Sequence, residues 1–223
     1  MKLKFRRIII ERIPGPMASV YEKATRMVID SYYSQVAEEV ASRLKSGTIL
    51  DLGTGPGYLP IEIVKRAPSI KVDGVDLASK LIRIARGNAV GAGVADKLHF
   101  EVGNATRLRF EDGSYDMVLS TGMLHMLKNP VKVINECYRV LKSGGEAWIY
   151  DPAKVSSQID VRKWKASLTL WERFLYRLFT LFSPFNPPHT YSREQVIEML
   201  ATTDFKEYWI EEGDNEIRLK LRK

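Results

Sequence analysis

An apolar run that stops at three alternating glycines and restarts as a helix narrows the fold more than any other feature of this chain. The stretch is ILDLGTGPGYLPIEIVKRA, residues 49–67. Gly53, Gly55 and Gly57 occupy the turn. Lacking a Cβ, glycine accepts backbone angles other residues avoid and lets the main chain approach a ligand closely, while the helix that follows presents unpaired N–H groups. In a doubly wound sheet the first strand-to-helix turn is where a nucleotide-type ligand meets the carboxyl ends of the strands.

The flanking pattern supports that placement. Val20, Ala24, Met27, Val28, Tyr32, Val36, Val40 and Leu44 recur at three- and four-residue spacing and predict helix over 18–44. Strands are predicted at 48–52, 71–76, 98–102, 115–120 and 146–150, with helices at 58–66, 78–90 and 130–141 between them. From Ser192 a helix and two further strands, 208–211 and 216–221, close the chain. Strands alternating with helices imply a parallel sheet covered on both faces. The expectation is an α/β, Rossmann-like doubly wound fold whose mostly parallel seven-stranded sheet carries N-terminal helices and a helical lid inserted before the last helix. One domain would span 1–223: a helical cap (1–47), a cofactor-binding core (48–151), a lid or substrate segment (152–190), and a C-terminal helix with strands (191–223).

Composition excludes several classes. No apolar run approaches the roughly 20 residues that span a bilayer, and the Ile8–Ile10 run is too short for a signal peptide and is interrupted by Glu11, so a cytoplasmic location is expected. Cys137 is the only cysteine, which rules out an intramolecular disulfide and a thiolate metal cluster; no metal is expected. The net charge of +7 favours anionic partners in general without naming one.

The loop spacing separates kinds of nucleotide. A dinucleotide fingerprint, Gly-x-Gly-x-x-Gly, needs its third glycine one residue beyond Gly57, and that position is Tyr58. No lysine followed by Ser or Thr completes a phosphate-binding loop. Asp76, ending the second strand, can accept from both hydroxyls of a ribose. The expected ligand is an adenosine without phosphates.

ILDLGTGPG, GVDLA (74–78), GNATRLRF (103–110), YDMVLSTGMLHML (115–127) and ECYRVLKSGG (136–145) resemble the successive motifs of the class I S-adenosylmethionine-dependent methyltransferases, in the small-molecule branch that includes ubiquinone/menaquinone C-methyltransferase-like enzymes. The resemblance implies S-adenosyl-L-methionine as cofactor. Gly53, Gly55 and Gly57 would form the cofactor loop, with Asp51 on the methionine ammonium. Asp76 would hold the ribose and Leu77 would pack on the adenine. Asn104 stands where the family usually has Asp and would accept from the adenine amino group, with the Ala105 N–H beside it. Thr121 and Gly122 would contact the methionine end, and Tyr21 and Tyr33 would close over the cofactor.

Methyl transfer needs alignment and exclusion of water, and a base only where the acceptor must lose a proton. His125, beyond the fourth strand, is the candidate base or substrate contact; the family often has a His-His pair there, and Met126 replaces the second. His99 lies inside a strand pattern and is read as structural. His189, on the approach to the last helix, and Trp164 and Trp171 in segment 161–188 are candidate substrate contacts. In that segment Trp164, Leu168, Trp171, Leu175, Leu178 and Phe182 form one apolar stripe beside basic residues, predicting a single amphipathic helix that covers the pocket or touches a membrane surface. The leading expectation is methyl transfer to a small, apolar acceptor. An RNA methyltransferase and a non-catalytic cofactor-binding partner protein are the alternatives. Nucleic acid is disfavoured by the lack of an RNA-binding module and by the position of NPPH, 186–189, after the fifth strand rather than the fourth.

Overall fold

The computed structural model describes residues 12–27, 29–152, 166–174, 177, 191–213 and 216–223. Helices α1 (Ala18–Arg26) and α2 (Ser34–Arg43) precede strand β1 (Ser46–Leu52). There follow α3 (Tyr58–Arg66), β2 (Ser69–Asp76), α4 (Ser79–Gly91), β3 (Leu98–Val102), β4 (Tyr115–Thr121), α5 (Pro130–Val140) and β5 (Leu141–Pro152). Helix α6 (Arg193–Ala201) and strands β6 (Glu207–Gly213) and β7 (Glu216–Arg222) close the chain. The seven strands are ordered β3-β2-β1-β4-β5-β7-β6. β1 to β5 run parallel, and β7 is antiparallel to both β5 and β6.

Strand order reverses between β1 and β4, so the carboxyl ends of these two strands open the crevice that ligands use in such sheets. Alternate residues of one strand feed two cores. Leu50 and Leu52 face α5 and α6 through Val133, Ile134, Val196 and Leu200, whereas Ile49 faces α2 and α3 through Val36, Val40, Leu59 and Ile63. Such near-continuous burial of β1 is what a central parallel strand requires.

The single helix expected over 18–44 is two helices joined by a wider turn at Ile29–Tyr33. The Thr25 hydroxyl bonds back to the carbonyls of Tyr21 (3.1 Å) and Glu22 (3.0 Å), a local alternative to the helical ladder just before the break. The extra residue in a π-turn re-phases the chain, and such turns are frequent at functional sites. β1 begins two residues earlier than expected, and β5 begins at Leu141 because Tyr115 pairs with Leu141 before the register shifts to Met117 with Glu146.

The lid segment is also revised. Thr169 and Glu172 form a reciprocal cap, with the Thr169 N–H donating to Glu172 Oε2 (2.8 Å) and the Glu172 N–H to Thr169 Oγ1 (3.3 Å). A helix therefore starts after Thr169 instead of running through it. Leu168 is buried against Met17 and Val20, whereas Trp171 is 66% exposed, so the two do not share a buried stripe. Trp164, Leu178 and Phe182 lie outside the described residues.

Gly57 ends the loop at φ +78°, and a Cβ there would meet Phe100 Cζ at 2.9 Å and Ala85 Cβ at 3.0 Å. Strain and overpacking together make Gly57→Ala cost about 3 kcal/mol. In a chain of this size the melting temperature, followed by circular dichroism, falls by roughly 6–12 °C; an unchanged melting temperature would show that this packing is slack.

Candidate active site

The glycine loop is built from its own backbone. The N–H groups of Gly53 and Thr54 donate to the Val75 carbonyl at 2.8 and 3.1 Å, and that of Gly57 to the Thr54 carbonyl at 3.0 Å. Gly53 and Gly55 have φ of +71° and +55°, values that a side chain would strain. The Gly55 N–H donates to Asp76 Oδ2 (3.1 Å), and the Ala78 N–H to Asp76 Oδ1 (2.7 Å). Asp76 thus ties the loop after β1 to the start of α4, with one lone pair on each oxygen still available. Burial raises its pKa against these two bonds.

Asp51, on β1 one residue before its end, is buried, and its Oδ1 has no hydrogen-bond partner among the described residues. Burial, with a smaller push from Asp76 against the pull of the nearby Thr54 hydroxyl, raises its pKa to about 7. An unpartnered buried carboxylate is costly unless a cation meets it. An α-ammonium group is such a cation, so the donor set fits the amino-acid end of S-adenosylmethionine.

Tyr21 and Tyr33 stand over these carboxylates. A Cβ on Gly55 would lie 3.6 Å from Tyr21 Cε1. Burial, then Asp76 and Asp51, raise the Tyr21 phenol to about 12, and burial, then Tyr21, Tyr32 and Asp51, raise that of Tyr33. From the β4 side, Thr121 ends the strand and the Gly122 N–H (φ +67°) donates to the Tyr150 carbonyl at 2.7 Å. Met123 then crosses to Gly53, where a Cβ would sit 2.9 Å from Met123 Sδ. The predicted residues Asp51, Gly53, Gly55, Gly57, Asp76, Tyr21, Tyr33, Thr121 and Gly122 therefore converge on one crevice.

At the far end, Leu77 is half-buried and Ala105 buried. A cleft of about 570 Å³ is lined by Val75, Gly103, Asn104, Leu108, Arg107 and Arg109, with Glu101. The amide oxygen of Asn104, expected to accept from the adenine amino group, instead accepts from the Thr106 N–H and hydroxyl, both at 2.9 Å. Its NH₂ group is thereby left as a donor on that cleft.

Beyond Met123, His125 Nδ1 lies 2.8 Å from Asp151 Oδ1, with both side chains largely buried, and its N–H approaches the same oxygen at 3.4 Å. Asp151 was not singled out from the sequence. Its signal is a carboxylate at the carboxyl end of a buried strand, WIYDP, level with the ligand crevice. His99 is exposed in β3, 3.8 Å from Glu101. Trp171 faces outward and stacks on Phe174 with centroids 5.6 Å apart; His189 and Trp164 lie outside the described residues. No group of residues able to hold a metal ion occurs among the described residues.

Helix α1, which carries Tyr21, is latched at two points. The Tyr58 hydroxyl donates to Glu22, and Arg26 Nε donates to that hydroxyl at 3.0 Å. Lys23 Nζ donates to Glu172 Oε2 at 2.7 Å; against the rise that burial alone would cause, Lys23 and Thr169 pull Glu172 down to about 2. Tyr58→Phe removes a charge-assisted bond of about 2 kcal/mol in a partly exposed setting. The dissociation rate of S-adenosylmethionine in stopped flow rises several-fold; an unchanged rate would detach α1 from the cofactor's exit.

This sheet order and glycine loop are those of the Rossmann-like methyltransferase fold, and residues 49–145 match the family profile described as "methyltransferase domain". Over that matched stretch the chain is similar to the S-adenosylmethionine-dependent methyltransferases. Among its relatives, the ajmaline N-methyltransferase of Rauvolfia serpentina is 33% identical over 45% of this chain and 34% of its own length. A ubiquinone/menaquinone biosynthesis C-methyltransferase of Geobacter sp. (strain M21) is 26% identical over 61% of this chain and 60% of its own. The chain thus spans between a third and three fifths of these curated relatives. A solved Methanococcus maripaludis chain named for S-adenosyl-L-methionine-dependent methyl transfer superposes with a TM-score of 0.74 at 21% identity, covering 98% of this chain and 96% of that one.

Proposed function

We propose that the protein transfers a methyl group from S-adenosylmethionine to a small, apolar acceptor. The observation that carries this is the buried Asp51 carboxylate with its unpartnered oxygen, placed beside a left-handed glycine loop that Asp76 anchors. Bound in the crevice, the cofactor supplies an electrophilic methyl on a sulfonium. The chain's residues do the rest. Asp51 neutralises the ammonium, Asp76 accepts from the ribose, and Tyr21, Tyr33 and Met123 exclude water around the methionine end, which favours in-line attack.

An apolar acceptor is supported by Leu170, Trp171 and Phe174, exposed together on one short helix beside Arg173. The same side chains suit shallow contact with an anionic lipid surface, from which an apolar acceptor would be drawn. No helix among the described residues is long and apolar enough to cross a membrane. The relatives named for N- and C-methylation act on different atoms, so the acceptor is best found by assay. Transfer of labelled methyl is measured to quinols, alkaloid-like amines, lipids and RNA, with and without anionic vesicles. Transfer to an apolar small molecule supports the proposal; transfer to RNA alone overturns it.

A further inference from the structure

We propose that Asp151 positions His125 as a general base, and that the acceptor is accordingly of the hydroxyl class. The inference rests on the methyl-transfer reading above. Asp151 lies one residue before the end of β5, next to β4 in the sheet, and is buried to 3% side-chain exposure. Fold stability alone gives little reason to keep a carboxylate there, since an interior carboxylate without a strong partner is destabilising. Its close side-chain partner is His125 Nδ1 at 2.8 Å. A carboxylate can only accept, so in the neutral ring Nδ1 carries the hydrogen and Nε2 holds the free lone pair. His125 also belongs to the turn in which Met123 packs on Gly53, which puts the ring at the methionine end of the crevice.

A neutral amine attacks a methyl group through a lone pair it already has and sheds its proton afterwards. A hydroxyl of ordinary acidity becomes a strong nucleophile only as its proton leaves, and a dyad built into the crevice is useful to that acceptor. The hydroxyl proton passes to His125 Nε2 while the oxygen's electron pair forms the new bond to the methyl carbon. The carbon–sulfur bond breaks with its pair left on sulfur, and the imidazolium then releases the proton to water. The other titratable groups around the dyad are the phenols of Tyr191 and Tyr32, the latter buried and facing Glu216 and Arg218; Asp151 contributes to raising both phenols.

The test uses the full chain and Asp151→Asn. Asparagine keeps the shape; because the His125 N–H and Nδ1 share one oxygen of Asp151, an NH₂ turned to that position gives up the weak 3.4 Å bond and forces the hydrogen onto Nε2. Nitrogen NMR of the histidine rings should show Nδ1–H in the parent and Nε2–H in Asp151→Asn, a readout that needs neither acceptor nor turnover. A parent ring that carries its hydrogen on Nε2 overturns the positioning role. With phenol and 4-nitrophenol as probes at pH 8, the rate for phenol should fall about 100-fold in Asp151→Asn. That for 4-nitrophenol, largely ionised already, should fall less than about fivefold. Equal losses for both overturn the base role, and methylation of amines with no phenol methylated overturns the hydroxyl class. Titration with S-adenosylmethionine should be unchanged in Asp151→Asn; loss of binding in the parent itself would instead defeat the methyl-transfer reading while leaving the tautomer result intact.

Discussion

Replacing Asp76 with alanine weakens S-adenosylmethionine binding by about 100-fold in calorimetric titration. Two effects add. The carboxylate holds the Gly55 and Ala78 N–H groups at 3.1 and 2.7 Å, so its removal frees the loop between β1 and α3 from the end of β2. It also removes the acceptors for the ribose hydroxyls, each charge-assisted bond being worth about 1.5–3 kcal/mol, and a net loss near 2.7 kcal/mol is 100-fold. Asp76→Asn keeps an acceptor oxygen and should fall between alanine and the parent. Affinity within threefold of the parent for Asp76→Ala would mean that the ribose sits elsewhere.

Cofactor affinity should also fall roughly fivefold between pH 7 and pH 6. The Asp51 carboxyl, raised by burial from 3.8 to about 7, is mostly protonated in the free protein at pH 6. The ammonium of the cofactor needs it ionised, and the ionised fraction of a group with a pKa of 7 drops from about a half to about a tenth over that interval. Binding near pH 6.5 should therefore release protons, measurable as a dependence of the heat on the ionisation enthalpy of the buffer. The sign for stability is opposite. Between about pH 4 and 7 the free folded chain holds a proton that the unfolded chain has lost, so Asp51 makes the free protein less stable as pH rises through that window. Saturating cofactor should abolish this fall. Asp51→Asn should bind weakly with no pH dependence in this range, and a parent affinity that is flat from pH 6 to 7 would remove Asp51 from the ammonium site.

The parallel core was legible because its signals are local. Apolar runs bounded by Gly and helical spacing located α3 and β3 to the residue, and the acidic residue ending β2 was read from its place alone. Where long-range packing decides, the pattern misled. The Thr25 back-bonds and the π-turn at Ile29–Tyr33 broke a helix whose apolar spacing read as continuous. The Thr169–Glu172 cap was written in the sequence as TLWE, but a six-residue apolar stripe running across it looked stronger. Asp151 escaped notice because its meaning depends on His125, 26 residues away in sequence and 2.8 Å away in space. The bonds from the Thr106 N–H and hydroxyl to the Asn104 oxygen belong to a turn that propensity alone does not reveal.

Calorimetric titration of the purified chain with S-adenosylmethionine, with NADH as the parallel ligand, tests the central claim most directly. The crevice predicts one saturable site for S-adenosylmethionine, with a heat that varies with buffer ionisation near pH 6.5, and no saturable binding of NADH. Absence of S-adenosylmethionine binding, or a preference for NADH, would contradict the assignment of Asp51, the glycine loop and Asp76 to this cofactor.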